Sequence, residues 1–521
     1  MADYSRATTI DGLPERYNAA VDLIESNLND GRADKAAVID AYDTVSYGGL
    51  ADRVDRMANV LLASGIGREQ RILLCLLDTV DFPTAFLGAI KAGIVPAPLN
   101  TLLTTDDYRW ILQRSGARAV IVSGALADKW APVAAENPQV RFISSRGGPW
   151  PDLQQLLQQS SAHAVAADTH RDDVAFWLFS SGSTGKPKGV MHTHGSLRLT
   201  ANLYGLPVAG YRDSDIVLSV AKQFFAYGLG NALTFPYAAG ATAVLMEGRA
   251  TPASISELMM RHKVTVLGGV PTFFAGWLAA TDTPTREQVP HFRLATSAGE
   301  ALPAHLGRAV SERFGVDVLD GLGSTEMLHI FISQQPGSVR YGCTGRVVQG
   351  YEARVITGDG QRAAPGEVGE LQIKGPTAAV AYWRDRPRSR ATFVGEWTRT
   401  GDQYTCDADG WYSHVGRDDD MMKVGGIYVS PLEVEEALAS HECVLEVGVV
   451  AAFDADKLVK PKAYVVLKQG FVANAALEAE LKAHVQSQLA PYKYPRWFAF
   501  VPELPRTPTG KLQRFKLREG Q

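Results

Sequence analysis

Apolar positions along the first third of the chain recur at helical spacing, then in short continuous runs, and then at helical spacing again. The first helical face is formed by Leu50, Val54, Met57 and Leu61. A glycine and the apolar run Arg71–Leu77 follow it, which predicts a helix stop and a buried strand. Asp106–Arg114 and the apolar segment Ala119–Val122 repeat this order. Such alternation favours parallel sheets with helices on both faces.

The pattern changes further along the chain. Gln154–Ala167 is rich in Gln, Ser and Ala, which predicts a connector before a second α/β unit. Val339–His414 is dense in glycine and in short strand-like runs, which is typical of a smaller β-rich subdomain. From about Pro431 the pattern indicates a compact α+β unit, with helices over Leu432–Ala439 and Ala475–Leu489. The predicted fold class is therefore α/β, with parallel-sheet subdomains, a β-rich subdomain and a small α+β unit at the end.

Composition places the chain among ordinary globular proteins. Its 521 residues are 46% apolar and 21% charged, and its formal charge is -4. This balance excludes wholesale disorder and gives no bulk case for binding nucleic acid or an anionic membrane. A chain of this length also requires at least two domains.

Targeting signals and cysteine pairs are not indicated. The N-terminal Met-Ala-Asp-Tyr-Ser lacks the basic and apolar regions of a secretory signal, and Arg518–Gln521 is no retention or peroxisomal address. No apolar run reaches the ~20 residues that span a bilayer. The cysteines at 75, 343, 406 and 443 lack C-x-x-C spacing, which argues against a zinc site or a disulfide framework. We expect a cytoplasmic protein that interacts with neither membrane nor nucleic acid, and leave open whether it is a homodimer.

The segment Ser180–Gly189 has the composition of a phosphate-binding loop. It combines glycines, hydroxyl side chains and two lysines, directly after the strand-like run Val174–Phe179. Glycines let backbone N–H groups close around an oxyanion, and lysines add positive charge. A mobile surface loop is the simpler alternative. A Walker A loop does not fit, because only two residues separate Gly182 from Gly185 and Pro187 follows the first lysine.

Three other motifs are better explained by structure than by chemistry. The pair His192 and His194 could chelate a metal, but such pairs on a predicted strand are more often packing residues. The glycines at 228 and 230 lack the third glycine of a dinucleotide fingerprint. The run Asp418–Asp420 lacks EF-hand spacing, and we interpret it as a solvated hinge.

Five segments with chemically distinctive residues follow one another along the chain: Ser180–Gly189, Gly321–Glu326, Thr400–Asp402, Gly416–Gly426 with Ser430–Glu433, and Thr507–Gln513. In this order they resemble the motifs of the adenylate-forming superfamily of acyl-CoA synthetases, luciferases and adenylation domains. A narrower resemblance, to benzoate-CoA ligases and their hydroxybenzoate relatives, rests on Phe224–Asn231, Ser297–Glu300, Gly323–Ile330 and Pro491–Arg496. It covers nearly the whole chain.

The resemblance implies a domain organisation and a two-step reaction. Residues 1–417 would form the adenylation domain, residues 418–420 a hinge, and residues 421–521 a small mobile domain. An aromatic carboxylate and MgATP would give an aroyl-adenylate and pyrophosphate, after which coenzyme A would displace AMP. Mg²⁺ is the implied cofactor, and ATP and CoA are the implied co-substrates.

The same resemblance implies the site residues. Lys511 would stabilise charge at the α-phosphorus, Thr325 would donate to the α-phosphate, and Glu326 would hold Mg²⁺. Asp402 would accept from the ribose hydroxyls with support from Arg417. The implied nucleotide-binding set is completed by Ser181, Gly182, Ser183, Thr184, Gly185, Lys186, Lys188, Glu300, Asp320 and Gly321. The implied hinge and CoA set is Asp419, Lys423, Gly425 and Gly426.

The implied acyl pocket indicates an aromatic acid. Its residues are Phe225, Ala226, Tyr227, Gly299, Gly323, His329 and Ile330. Amino-acid-activating relatives carry an Asp where Ala226 stands, and an ammonium buried without a partner is costly. Aromatic and aliphatic walls suit a flat ring. Leu328 matches the benzoate type, whereas the amide of Gln223 would favour a hydroxyl or amino substituent.

Three alternatives to a benzoate-CoA ligase remain at this point. One is a hydroxybenzoate- or 2-aminobenzoate-CoA ligase, and a second is an aryl-acid adenylating enzyme that loads a carrier protein. A third, from another class, is a nucleotide-binding regulator without catalysis. The last is disfavoured because Lys511, Glu326 and Asp402 are all present.

Overall fold

The computed structural model describes residue 4 and residues 6–180, 187–417, 420–424, 427–454, 458–489, 493–506 and 512–519; at 417, 423, 427 and 428 it describes the backbone. The helices are α1 (Ala19–Asn29), α2 (Tyr47–Ala63), α3 (Asp81–Lys91), α4 (Thr105–Ser115), α5 (Ala127–Glu136), α6 (Leu153–Gln158), α7 (His194–Thr200), α8 (Ala226–Leu229), α9 (Phe235–Ala239), α10 (Pro252–His262), α11 (Pro271–Ala279), α12 (Ala304–Phe314), α13 (Arg386–Thr392), α14 (Pro431–Ala439), α15 (Ala475–Gln488) and α16 (Arg514–Glu519). Short 3₁₀ turns span Ile10–Gly12, Gly124–Leu126 and Thr325–Met327, and π-helical turns span Ala201–Gly205 and Gly230–Thr234.

The strands are β1 (Ala36–Ile39), β2 (Thr44–Ser46), β3 (Arg71–Cys75), β4 (Val95–Pro98), β5 (Ala119–Ser123), β6 (Arg141–Ser145), β7 (Val174–Ser180), β8 (Lys188–Thr193), β9 (Ile216–Ser219), β10 (Thr242–Val244), β11 (Val266–Gly269), β12 (Leu294–Ser297), β13 (Asp317–Gly323), β14 (Ile330–Ser333), β15 (Arg346–Val347), β16 (Glu352–Ile356), β17 (Gly369–Lys374), β18 (Ala381–Tyr382), β19 (Phe393–Val394), β20 (Trp397–Cys406), β21 (Tyr412–Arg417), β22 (Met422–Val424), β23 (Ile427–Val429), β24 (Val444–Phe453), β25 (Val459–Leu467) and β26 (Trp497–Phe500).

Two sheets with parallel strands organise the N-terminal part. One has the order β4-β3-β5-β6 and is parallel throughout. The larger one has the order β15-β14-β13-β12-β11-β9-β10-β1-β2, and it is parallel from β13 to β1. The predicted α/β class is confirmed. Its strands are buried on both faces, as helix-covered parallel strands require.

Local sequence signals account for the helix ends. Thr104 and Asp107 form a capping box at the start of α4, and Gly116 ends that helix in the left-handed conformation. Ser46 caps α2 by accepting from the backbone N–H of Gly49. The predicted apolar face of α2, Leu50, Val54, Met57 and Leu61, is buried in the core.

The β-rich and C-terminal units also follow the sequence pattern. Antiparallel strands in the order β16-β17-β20-β19, with β21 beside β20, form the sheet of the β-rich subdomain. The C-terminal unit pairs β24, β25 and β26 and packs α14 and α15 around a separate apolar core.

Two sequence-based interpretations are wrong in part. The first five residues of the predicted connector Gln154–Ala167 belong to α6, whose Leu153 and Leu157 are buried, whereas residues 159–173, all of them described, contain no helix or strand. Asp420 is not solvated, because its carboxylate lies 3.2 Å from Arg518 Nη1 and 3.6 Å from Arg514 Nη1 and is only 14% exposed; that it belongs to the hinge stays a prediction. The other predicted hinge residues, 418 and 419, lie outside the described residues.

Candidate active site

The carboxyl ends of neighbouring parallel strands bring the predicted site segments together. Phe225 follows β9, Glu300 follows β12, and Thr325 follows β13. β9, β11, β12 and β13 are adjacent and parallel, so these segments meet at one edge of the sheet. Ligands of open α/β sheets bind at this edge.

Thr325 and Glu326 lie on a short turn fixed by two neighbouring strands. His192 on β8 places Nε2 2.8 Å from the carbonyl oxygen of Thr325. The hydroxyl of Tyr382 on β18 donates to Glu326 Oε1 over 2.8 Å. Burial lowers the pKa of His192 to about 4, so its ring is neutral and donates Nε2–H. The hydrogen bond from Tyr382 thereby orients the carboxylate.

The predicted phosphate loop connects two antiparallel strands. β7 ends at Ser180 and β8 begins at Lys188, paired with it in register. Residues Ser181 to Lys186 lie outside the described residues. Lys188 Nζ lies 5.4 Å from the centre of the Tyr382 ring, the same tyrosine that binds Glu326. The loop therefore joins strand to strand, unlike a Walker A loop, which joins strand to helix.

The predicted adenine residues surround the ends of β12 and β13. Burial raises the pKa of Asp320 well above its usual range, although backbone N–H groups of Leu302 and Gly321 act in the opposite direction. Its Oδ1 has no hydrogen-bond partner in the part of the chain that the structure describes. Glu300 accepts from the hydroxyl of Thr272 over 2.9 Å. A buried carboxyl with a spare oxygen suits recognition of a polar ring edge.

The predicted ribose residues are neighbours in the β-rich sheet. Asp402 on β20 pairs in register with Arg417 on β21. His414 Nε2 lies 3.8 Å from Asp402 Oδ1. The carboxylate is mostly buried next to the position at which the resemblance expects a diol.

The predicted acyl pocket is a cluster of aromatic rings around His329. The imidazole lies 4.5 Å from the ring centre of Phe235 and 5.5 Å from those of Tyr204 and Tyr227. Its Nε2 is 3.3 Å from the carbonyl oxygen of Tyr227. Burial lowers its pKa to about 3, so the ring is neutral at physiological pH.

Backbone geometry makes room for this ring. A Cβ at Gly230 would lie 2.2 Å from His329 Cδ2, so only glycine fits on this π-helical turn. π-Helical turns occur frequently at functional sites. Leu328 has a φ of 69°, which is strained for a residue with a side chain. Strain of this kind clusters at ligand sites.

The remaining pocket residues complete the wall. Tyr227 and Thr296 share a hydrogen bond of 2.7 Å between their hydroxyls. Gly299 has a φ of 93°, in the region that favours glycine. Ile330 is 2% exposed. Ala226 begins α8 and offers no acceptor for an ammonium group.

Some predicted site residues lie outside the described residues, and these are Ser181, Gly182, Ser183, Thr184, Gly185, Lys186, Asp419, Gly425, Gly426 and Lys511. Arg417 and Lys423 are described in their backbone only, in β21 and β22. Their roles stay predictions.

Sequence reasoning missed the residues that support the site. Tyr382 holds Glu326, Thr272 holds Glu300, and Asp78 accepts from the backbone N–H of Gln223 over 3.2 Å. Each supporting residue is distant in sequence from its partner, and no spacing pattern links them. His192 was interpreted as a packing residue; its ring does stack on Phe176, and it also supports Thr325.

Comparisons with known proteins agree with this arrangement. The chain matches the model of AMP-binding enzymes over residues 25–383 and that of the AMP-binding enzyme C-terminal domain over residues 433–511. It is 52% identical to a benzoate–CoA ligase of Thauera aromatica, over 100% of this chain and 99% of the relative. It is 48% identical to a 4-hydroxybenzoate–CoA/benzoate–CoA ligase of Rhodopseudomonas palustris, over 96% and 94%.

A solved structure agrees as well. The benzoate CoA ligase from Burkholderia xenovorans LB400 is 49% identical and superposes with a TM-score of 0.91 over 96% of this chain and 100% of that one. The chain therefore belongs to the family of AMP-binding, adenylate-forming enzymes. Within that family it is an AMP-forming acid–thiol ligase of the aryl-CoA ligase group. The resemblance predicted from the motifs is confirmed.

The predicted hinge at 418–420 lies between the two matched ranges. The exact domain boundaries stay a prediction. Among the residues that the structure describes, no helix has both the length and the apolar character needed to cross a bilayer.

Proposed function

We propose that this enzyme converts benzoate, or a singly substituted benzoate, to its CoA thioester through an aroyl-adenylate. The observation that carries the substrate class is the cluster of aromatic rings packed around the buried His329, with Ala226 beside Phe225. A flat uncharged ring matches these walls, whereas an amino acid would bury its ammonium without a partner. The names of the relatives that match over nearly their whole length support the same class.

The first half-reaction joins two anions. A carboxylate oxygen attacks the α-phosphorus of ATP, and the bond to pyrophosphate breaks. Lys511 neutralises charge at the α-phosphorus, and the Thr325 hydroxyl donates to an α-phosphate oxygen. The phosphate loop, Ser181 to Lys186 with Lys188, binds the leaving phosphates through backbone N–H groups and positive charge.

The donor set at Glu326 fits Mg²⁺. Tyr382 occupies one carboxylate oxygen, which leaves the other for a hard cation. Mg²⁺ is usually held by one or two carboxylates together with substrate phosphate oxygens. The bound ion would neutralise charge on the phosphates.

The remaining residues bind the nucleotide. Asp402, supported by Arg417, accepts from the ribose hydroxyls. Asp320, Gly321 and the backbone at Glu300 frame the adenine. An anchored nucleotide keeps the α-phosphorus in line with the carboxylate, which lowers the entropic part of the barrier.

The second half-reaction uses the C-terminal domain in another orientation. The thiol sulfur of CoA attacks the acyl carbon, the thiol proton is released, and the bond to AMP breaks. Residues 421–521 turn about Asp419, and Lys423, Gly425 and Gly426 approach the thiol arm of CoA. A 418–420 hinge suits this motion because a few loop residues absorb the rotation.

Substituted benzoates are a second candidate for the preferred acid. The Nδ1 of His329 and the Oε1 of Gln223 are buried, and neither has a hydrogen-bond partner among the described residues. If Nε2 carries the proton, Nδ1 is an acceptor for a ring hydroxyl or amino group. Gln223 donates through Nε2 to the carbonyl oxygen of Ala232 over 3.3 Å, which holds its amide within the core.

The test is kcat/KM for benzoate, 2-aminobenzoate and 4-hydroxybenzoate on one preparation, with AMP release measured with and without CoA. We expect benzoate to be used at least as well as 4-hydroxybenzoate. A hydroxyl desolvated against Leu328 or Ile330 costs roughly 1–3 kcal/mol, or about 5- to 150-fold. A preference for the para-hydroxy acid above about tenfold would contradict this. Gln223→Leu would then show whether the amide causes the preference.

The same assay separates the remaining alternatives. CoA-dependent turnover argues against a carrier-protein acceptor, and any turnover argues against a non-catalytic regulator. Loss of adenylation on chelation of Mg²⁺, with recovery on its return, tests the metal. Light scattering decides between monomer and homodimer, and cell fractionation tests the expected cytoplasmic location.

A further inference from the structure

Arg506 of the C-terminal unit contacts the nucleotide site. Arg506 Nη1 lies 3.2 Å from Glu300 Oε1, in the adenine segment of the N-terminal domain. Its Nη2 lies 3.1 Å from Glu446 Oε2 on β24, within its own domain. One guanidinium therefore bridges a carboxylate on each side of the interface.

The partner in the N-terminal domain is held in place. Thr272 donates to Glu300 Oε2, which leaves Oε1 to Arg506. The side chains of Arg506 and Glu300 are 25% and 27% exposed. A pair with this degree of shielding is less screened than a fully exposed pair, yet water can replace either partner when the domains separate.

The backbone around Arg506 is hydrogen-bonded to the residues that directly follow Lys511 in the sequence. Arg506 and Leu512 form an antiparallel bridge, and the backbone N–H of Gln513 donates to the carbonyl of Pro505 over 2.8 Å. Lys511 directly precedes Leu512 in the sequence. The ion pair with Glu300 therefore anchors Arg506 and, through the bridge, Leu512, the residues that flank positions 507–511 in the sequence.

We propose that Arg506 is a positioning residue for the first half-reaction. Its ion pair with Glu300 holds the Lys511 segment at the nucleotide site during adenylation and is released before thioester formation. This inference rests on the proposed role of Lys511.

Glu446 lowers the free-energy cost of breaking the ion pair between Arg506 and Glu300. A charged group that loses its partner while still shielded pays a large desolvation penalty. Because Glu446 belongs to the same unit as Arg506, it stays beside the guanidinium after Glu300 is lost. The switch between the two half-reactions then breaks the Arg506–Glu300 pair, and the guanidinium keeps Glu446 as a partner.

The test compares the two half-reactions in Arg506→Gln. We expect adenylate formation, measured as benzoate-dependent pyrophosphate exchange, to fall about tenfold. Thioester formation from preformed benzoyl-AMP and CoA should stay within about twofold of the parent enzyme, and Arg506→Lys should recover part of the first rate. Arg109→Gln is the matched control, since Arg109 pairs with Glu136 at 2.7 Å between α4 and α5, elements that contribute none of the proposed site residues. An equal loss in both half-reactions, or none in the first, would overturn the proposal.

A double-mutant cycle isolates the contact itself. In a Glu300→Gln background, Arg506→Gln should lower adenylation by less than about twofold, because the partner is already gone. A full tenfold loss in that background would show that Arg506 acts through something other than Glu300. The adenylation rate of the parent enzyme should also fall more steeply with salt than that of Arg506→Gln.

Lys511→Ala belongs in the same panel. Normal adenylation by Lys511→Ala would refute the proposed role of Lys511. If Lys511→Ala loses adenylation and Arg506→Gln keeps it, only the positioning role of Arg506 is refuted.

Discussion

The acyl pocket and the domain interface are built from different materials. The pocket packs His329 among aromatic rings, and Gly230 has no space for even one added carbon. The contact between Glu300 and Arg506 is an ion pair about one quarter exposed. Close-packed interiors resist deformation, whereas polar interfaces between domains separate readily. The difference fits the two roles proposed above: a pocket that selects an acid by shape, and an interface that opens between the half-reactions.

Removing the lysine from the mobile side should have the largest effect. We expect Lys511→Ala to slow adenylate formation by about 10²- to 10³-fold, the scale of losing one preorganised charge-stabilising group. Thioester formation from benzoyl-AMP should be spared, because the proposed role of the lysine is confined to the α-phosphate. Single-turnover assays of each half-reaction measure this, with Lys516→Ala as the control. Equal losses in both half-reactions would contradict the assignment.

Stiffening the hinge should separate the half-reactions in the opposite sense. Proline fixes φ near about −65°, so Asp419→Pro should prevent the rotation. We expect a normal adenylation rate and a loss of CoA turnover on the order of 100-fold, as for a blocked conformational step. Asp419→Ala keeps the backbone free and serves as the control. An unchanged overall rate in Asp419→Pro would exclude the hinge role.

Adding one carbon to the pocket tests its rigidity. Gly230→Ala places a Cβ against the His329 ring, and overpacking of this kind costs about 1–3 kcal/mol. We expect a lower melting temperature and about a tenfold loss of kcat/KM for benzoate, with the KM for ATP little changed. Gly276→Ala, where a Cβ meets no atom within 4 Å, is the control. A Gly230→Ala enzyme with parental kinetics would show that the pocket deforms to accommodate the added carbon.

The smallest expected effect concerns the burial of His192, the residue that supports Thr325. Burial lowers the pKa of His192 to about 4 in the folded state, while the unfolded side chain titrates near about 6.5. The unfolded chain therefore binds more protons between these values, and stability is lost as the pH falls through this window. In His192→Gln we expect the loss of unfolding free energy between pH 7 and pH 5 to be smaller by about 2 kcal/mol.

Chemical denaturation at the two pH values measures this difference. The exposed His163, changed to Gln, is the control for the substitution itself. A His192→Gln enzyme with the parental pH dependence would mean that water or a counter-charge reaches His192 in the folded state.

Local patterns predicted much of the fold. The helix with Leu50 and Leu61 and the strand before the phosphate loop appear where their periodicity and punctuation indicate. The prediction of a connector over Gln154–Ala167 missed the overlap with α6. The apolar face of that helix, with Leu153 and Leu157, is so short that it carries little periodic signal. The prediction that Asp420 is solvated was wrong because a run of three acidic residues gives no indication of the arginines that approach it from α16.

The sequence by itself determined the family, the order of the motifs and the chemistry of the groups in them. These follow from residue types at short spacings, which local geometry and the needs of phosphate and carboxylate chemistry constrain directly. Tertiary structure alone decided which distant residues support the site: Tyr382 at Glu326, His192 at Thr325, and Arg506 at Glu300. A hydrogen bond or ion pair between residues far apart in the chain depends on how sheets and domains pack, and no local pattern encodes that packing.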